Sequence, residues 1–492
     1  MLQRALLILT LGFALQARAG QFDYLPASAP AEKEFLGLMN SGNFKHALTA
    51  WNSAHGLTNF GQSANGKATL AYLMVQNGLT LSGLDLVLST NPKNLDPQLL
   101  KIWTTELKNS VFIQKGWMQT AGSWKSVHNN EPVTLKIKTA KDIARAFDRA
   151  SALPKDNANE KARIWWQIAT QGPQINQIDS SLRALKLMRE SGQTAIGQDQ
   201  VSSALGRILY QKGDLDAATQ AFNEIPKSSN LWVESVEERA WTSLRKSDYD
   251  KALGETITLL SPALAPLVGP ESYYLANLMA LKVCDYPRIF KNSEAFKQRH
   301  TGRLTAMQEL AKTGSNKNLI ALFERFDQKG TSIEGAGPLV EWIPRAAFRD
   351  AKFLRYMETR RQWLGESKKA TELLATGEAL GNSTAMQRIP QDARKIADRL
   401  KQLAFQRVRV LAGEELKEYR QNLNKMHIIE GEVIQRLAVD ESLKGQRSKL
   451  AKVEDTGDVL VFPYSSDEVW FDELDNYKAR VKDCPTLKGA AL

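Results

Sequence analysis

Apolar residues recur three and four positions apart along almost the whole chain of 492 residues, and strict alternation is rare. That spacing places them on one stripe of a helix and predicts an all-α fold. Between 390 and 440, Ile396, Leu400 and Leu403, then Leu423, Met426, Val433 and Leu437, follow helical steps and predict one or two long helices. Ala412-Gly413 is a candidate break, which favours a helical hairpin over a coiled coil, since few clean heptads are present. Residues 125–139 depart from the pattern. Asn129-Asn130 is a turn signal, and Val133, Leu135 and Ile137 alternate with Thr134, Lys136 and Lys138. A short strand and an extended loop both satisfy that stretch. Prolines 262, 266 and 270 end the preceding helix and predict an apolar connection.

The chain repeats itself. LGRILYQKGDLDAATQAFNEIP, from Leu205 to Pro226, returns 34 residues later as RAWTSLRKSDYDKALGETITLLSP. Gly206 opens the first copy and Gly213 precedes its turn. Asp214 aligns with Asp248, Leu215 with Tyr249, and Ala218 with Ala252. Asp285-Tyr286, another 37 positions on, marks a weaker third copy. Near the N-terminus SGNFKHALTAWNSA carries the theme with Gly42, Asn43, Phe44, Ala47 and Trp51. A Gly-Asp or Ser-Asp pair turns the chain between two helices, the next large residue packs back, and small Ala residues permit close approach. One such hairpin cannot bury its apolar face alone, so neighbours must stack.

A 34-residue period with these residues resembles the tetratricopeptide repeat. Across 204–286, the strings IPKSSNLW, ERAWTSLRKSDYDKALG, TLLSP, GPES and CDY, with VWFDELDNY at 469–477 and the Cys484 that follows, resemble secreted repeat proteins of bdellovibrios and myxobacteria. Those proteins are linked to envelope and gliding-motility machinery. The resemblance implies a helical-hairpin superhelix that binds protein partners in the cell envelope through its repeat groove. The expected organisation is a signal peptide at 1–19, N-terminal helical repeats at 20–124, the strand or loop at 125–139 and a helical connector at 140–195. Tetratricopeptide-like repeats follow at 196–310, a basic region with long helices at 311–445 and an acidic-aromatic tail at 446–492.

The address rests on Arg4, the apolar run Ala5 to Leu15, and Ala17 and Ala19 in an A-x-A pattern. These predict cleavage after Ala19 and export to a periplasm. The apolar run is too short to span a bilayer. A net charge of +11 suits an anionic partner, but that address argues against nucleic acid and leaves anionic wall polymer as a peripheral contact. Charge is also segregated. Residues 341–410 hold 15 Lys/Arg against 8 Asp/Glu, whereas 453–477 hold 8 Asp/Glu and no Lys or Arg. Apolar groups in that tail, Trp470 and Phe471 foremost, favour docking onto the basic helices of the same chain. The alternative is a solvated tail that binds another protein. An oxidising compartment favours a Cys284–Cys484 bridge over two separate buried thiols.

The chain carries few residues in patterns that support chemistry. His46, His55, His128, His300 and His427 form no metal-ligand spacing, and His427 fits a surface or a satisfied core position. Neither a G-x-S-x-G motif nor a P-loop is present. The acids Asp467, Glu468, Asp472, Glu473 and Asp475 lack the calcium-loop pattern. Gly116 to Ala121, GWMQTA, resembles the G-L-M-Q element of lytic transglycosylases, with Glu106 as the nearest acid; the spacing is short and the flanking pattern missing. The tryptophan pair Trp165-Trp166 cannot form one flat platform, because adjacent helical residues point about 100° apart. Trp51, Trp232 and Trp241 fall at repeat packing positions. No catalytic residue, cofactor or metal is therefore expected. The function expected from sequence is a non-catalytic scaffold or adaptor. The alternative is a peptidoglycan-active lytic enzyme or a binder of anionic wall polymer.

Overall fold

Five of the described helical hairpins turn in the same way, as does a sixth in which the Gln177 N–H donates to the Gly172 carbonyl at 2.8 Å after Asn176 at φ 58°, and their hydrogen bonds show why. The N–H of Asn43, Leu79, Asp214, Asp248 and Asp285 donates to the carbonyl of Leu38, Met74, Leu209, Ser243 and Ala280, five residues back, at 2.8–3.0 Å. The residue before each donor has a left-handed φ: Gly42 at 73°, Gly78 at 83°, Gly213 at 91°, Ser247 at 62° and Cys284 at 59°. This is a helix C-terminal closure in which glycine carries no steric penalty. Ser247 and Cys284 adopt the same conformation at a cost of about 1 kcal/mol. The aspartates then cap the next helix, their carboxylates accepting from the N–H groups of Ala217, Lys251 and Arg288 at 3.3, 3.2 and 3.4 Å.

The computed structural model describes residues 21–114, 118, 122–126, 135–154, 157–264, 267–330, 333–376, 384–439 and 475. The fold is all-α, and no strand occurs among the described residues. No helix among them is long and apolar enough to cross a membrane. The signal sequence expected at 1–19 lies outside the described residues. The segment 135–138 keeps the alternation read from sequence, with Ile137 buried and Lys136 exposed, but no strand pairs with it. Glutamine side chains of the Ala158–Gln171 helix serve it instead. Gln167 accepts from the Leu135 N–H at 2.6 Å, and Gln171 accepts from the Ile137 N–H at 3.3 Å.

The chain divides into two compact units, each assembled from distant segments. Residues 1–131, 320–336 and 350–408 form the first. Its described N-terminal part holds the hairpins Pro30–Asn40 with Phe44–Trp51 and Ala64–Gln76 with Thr80–Leu88, followed by Pro97–Asn109. Phe22, Phe35, Ala47, Tyr72, Trp103 and Trp124 are fully buried or nearly so. The two indoles keep hydrogen bonds, Trp103 to the Ala68 carbonyl at 3.1 Å and Trp124 to that of Thr90 at 2.9 Å. Glu366, on the Ala351–Thr376 helix, reaches the first turn of Thr80–Leu88. It accepts the N–H of Leu81 at 2.7 Å and of Ser82 at 2.5 Å.

Residues 132–319, 337–349 and 409–492 form the second unit. Its hairpins are Ala158–Gln171 with Ile178–Glu190, Gln198–Lys212 with Leu215–Asn223, Trp232–Arg245 with Tyr249–Leu259, and Pro270–Lys282 with Tyr286–Thr313. Each packs on the next. A Cβ at Gly206 would meet the Phe222 ring at 2.6 Å, so the absence of a side chain sets how closely those helices approach. Ala218 and Ala252 are fully buried at the equivalent close approaches. The hairpin expected over 390–440 is instead one helix, Thr384–Val439, of 56 residues. Gly413 does not break it, since a glycine costs about 1 kcal/mol in a helix and the packing of this one outweighs that. Pro390 lies near its start, and the Pro390 carbonyl accepts the Ser367 hydroxyl at 2.9 Å.

Candidate functional site

The first helices of the last three hairpins present one side on which charged and aromatic residues alternate. On Trp232–Arg245, positions 234, 237, 238, 241 and 245 fall on that side by helical spacing. Arg207 bridges to it, placing its guanidinium 2.6 Å from Glu238 and 2.5 Å from Glu234. Arg349 pairs with the other oxygen of Glu234. Burial works against the ionised form of Glu234, yet Arg349 and Arg207 outweigh it and hold the carboxyl below its usual range. Glu237 forms no ion pair with an arginine among the described residues, and only the charge of Arg345 favours its ionised form from a distance. Burial pushes it up to about 7, although the Ser272 hydroxyl donates to it. The aromatic groups are Tyr210, Trp241 and Tyr274, each half-buried. Arg245 lies 4.9 Å over the Tyr210 ring and Lys425 lies 4.8 Å over the Tyr274 ring. Trp241 donates to Glu271 at 3.1 Å and packs on Tyr274 with its ring tilted by 42° and the centroids 5.9 Å apart.

The 409–439 part of the long helix covers the end of this array. It runs antiparallel to Tyr286–Thr313. Glu415 meets Arg303 at 2.7 Å, Tyr419 meets His300 at 2.7 Å, and Ile429 and Val433 share a cluster with Ile289 and Tyr286. Such a helix supplies the apolar contacts that a further hairpin would otherwise make. Arg345 ties the connecting segment into the same network. Its N–H donates to Glu415 and its guanidinium to Glu418, both at 2.8 Å. Gly269 leaves room for that guanidinium, which would overlap any Cβ there. Burial, with Arg303 and Arg345 beside it, depresses His300 to about 3, so the ring is neutral and Tyr419 is its partner at Nδ1.

The residues singled out from sequence divide cleanly. Gly42, Gly213, Asp214, Asp248 and Asp285 make turns or caps, Ala47, Gly206, Ala218 and Ala252 make close approaches, and Tyr249 and Tyr286 open second helices, Tyr286 buried among apolar neighbours. They build hairpins, Gly42 and Ala47 in the first unit and the rest in the second. Trp51 and Trp232 are buried as expected, while Trp241 is half-buried and contributes to the exposed side. Trp165 and Trp166 pack against a helical core. Cys284 is disulfide-bonded; Cys484, Trp470 and Phe471 lie outside the described residues. Asp475, a described tail residue, contacts Arg239 and Thr258; the rest of the tail expected to dock on 341–410 lies outside the described residues. His427 is exposed. Burial raises the Glu106 carboxyl, but Gly116, Trp117 and 119–121 of the transglycosylase-like element lie outside the described residues. No cluster of three metal-binding side chains occurs among the described residues. No family model and no curated protein matches the chain.

Sequence reasoning missed Arg303, Arg345, Glu366 and Glu415. Their partners lie 37 to 285 positions away, and no local periodicity joins them. The arrangement offers aromatic surface for another chain to cover and fixed charges to set its orientation.

Proposed function

We propose that this chain is a non-catalytic scaffold or adaptor of the cell envelope. Its hairpins are tetratricopeptide-like, and they receive a protein partner on the side that carries Tyr210, Trp241 and Tyr274. The observation that supports this most is the recurrence of one closing turn, followed by a capping aspartate, at Gly213-Asp214, Ser247-Asp248 and Cys284-Asp285. That recurrence aligns three first helices so that half-buried aromatic groups stand beside ion-paired carboxylates. Arrays of this kind use inner-helix side chains to hold extended or helical segments of other proteins. The extracytoplasmic setting rests on the Arg4 to Ala19 pattern.

The test is photo-crosslinking in intact cells from a reactive residue at position 241 or 245, with a control at exposed Arg145. A reproducible set of envelope proteins crosslinked from 241 and 245 but not from 145 supports the adaptor. Retention on purified anionic wall polymer that weakens with salt, without protein crosslinks, replaces it with the polymer-binding reading.

A further inference from the structure

The two hairpins related by the 34-residue period differ where it matters most for packing. Leu205, Ala221 and Phe222 of the first correspond to Arg239, Glu255 and Thr256 of the second. Arg239 and Glu255 are nonetheless 5% and 4% exposed. A charged pair in a hairpin interior is no gain for folding, because apolar residues of similar volume serve as well or better. The Arg239 guanidinium lies 3.5 Å from Glu255 through Nε and donates to Asn223 at 3.0 Å through Nη1. Its remaining nitrogen, Nη2, pairs with Asp475. The backbone N–H of Asp475 donates to the Thr258 hydroxyl at 3.0 Å, and Thr258 is fully buried. Asp475 holds φ at 84°, in the left-handed region that aspartate tolerates better than most residues.

We infer that Arg239, Asn223 and Thr258 form a binding site for an acidic chain segment, and that its occupant is the acid-rich stretch 453–477 of this same chain, engaged through Asp475. The chemistry is complementary on both sides. That stretch carries 8 Asp/Glu and no Lys or Arg. Burial pushes Glu255 up to about 7, so at neutral pH it neutralises Arg239 incompletely and a second carboxylate is favoured there. The backbone bond to Thr258 adds recognition of the main chain, which a free anion would not use. The inference concerns residues different from those of the adaptor side and stands independently of it.

The test uses the full chain without reductant, so that Cys284 keeps its disulfide in every form. Trypsin cleavage after Lys478 and Arg480, three and five residues beyond Asp475, is timed by mass spectrometry. Two forms are compared with the parent protein. Asp475→Asn removes the charge from the occupant. The double variant Arg239→Leu, Glu255→Ala copies the first hairpin's residues, removes the site, and leaves no buried charge unpaired. Both are expected to keep the parent's helical circular dichroism and to be cut at least tenfold faster at those sites. Cleavage within twofold of the parent in the double variant, with its hairpins folded, overturns the site. Fast cleavage in the double variant but not in Asp475→Asn overturns Asp475 as the engaging residue.

Discussion

Glu366 gives the sharpest energetic prediction. Its carboxylate is 6% exposed and accepts two N–H groups from the first turn of Thr80–Leu88, at 2.7 and 2.5 Å. Leu81, one of those donors, shares an apolar cluster with Trp363, Ala393 and Ala397, so water does not readily replace the lost acceptor. Glu366→Ala leaves the buried Leu81 donor and the part-buried Ser82 donor without their acceptor, the buried one worth about 1–3 kcal/mol and the other less. It also removes a negative charge from a helix N-terminus, worth about 0.3–1 kcal/mol. Against this stands relief of the buried carboxylate, whose affinity for its proton burial already raises. The net expectation is a loss of about 3 kcal/mol, or roughly 6–12 °C in the melting midpoint for a unit of this size. Glu366→Gln keeps one acceptor and should lose about half as much. Urea denaturation gives the free energies, and hydrogen exchange at the amides of Leu81 and Ser82 locates them. A loss below 1 kcal/mol in Glu366→Ala, with those two amides still protected, would refute the reasoning.

His55→Phe should stabilise the protein by about 1–2 kcal/mol, because both nitrogens of this fully buried ring lack hydrogen-bond partners among the described residues and Phe35, Trp51 and Phe60 surround it at 4.9–5.4 Å; a lower urea midpoint would show that the ring has a polar role. Glu237→Gln should flatten the pH dependence of stability. The native carboxyl titrates near 7 rather than 4.5, so folding takes up a proton between those values and stability falls as pH rises through them. The variant should match the parent below pH 4.5 and exceed it by about 1–3 kcal/mol at pH 8; parallel curves would rule Glu237 out as the source. Gly206→Ala should cost about 1–3 kcal/mol by forcing a methyl against the Phe222 ring, and an unchanged melting midpoint would mean that the helices move apart freely.

Much of the second unit was legible because its information is local. Asp214, Asp248 and Asp285 each cap a helix three residues ahead, and Gly213 announces its own left-handed turn. Ser247 and Cys284 were readable only through alignment with Gly213, since neither residue favours that conformation alone. The unbroken helix across Gly413 was not legible, because propensity at one residue is weaker than the packing of Leu411, Ala412, Glu415 and Tyr419 around it. The candidate side was half visible. The repeat spacing places Trp241 at a packing position, but its exposure depends on which neighbour covers it. Arg345 and Glu415 meet only after the fold exists.

The discontinuity of the two units carries a consequence in time. Leu81 and Ser82 wait for an acceptor that lies 285 and 284 positions further along the chain. At about 5–20 residues synthesised per second, that interval lasts roughly 15–60 s. Throughout it, the earliest hairpins have been made but lack the helix that closes their unit. The second unit is delayed in the same way, since its array ends uncovered until residues beyond 409 arrive. A ribosome that stalls before position 366 therefore releases a chain whose N-terminal hairpins are complete in sequence and still open to proteases and chaperones.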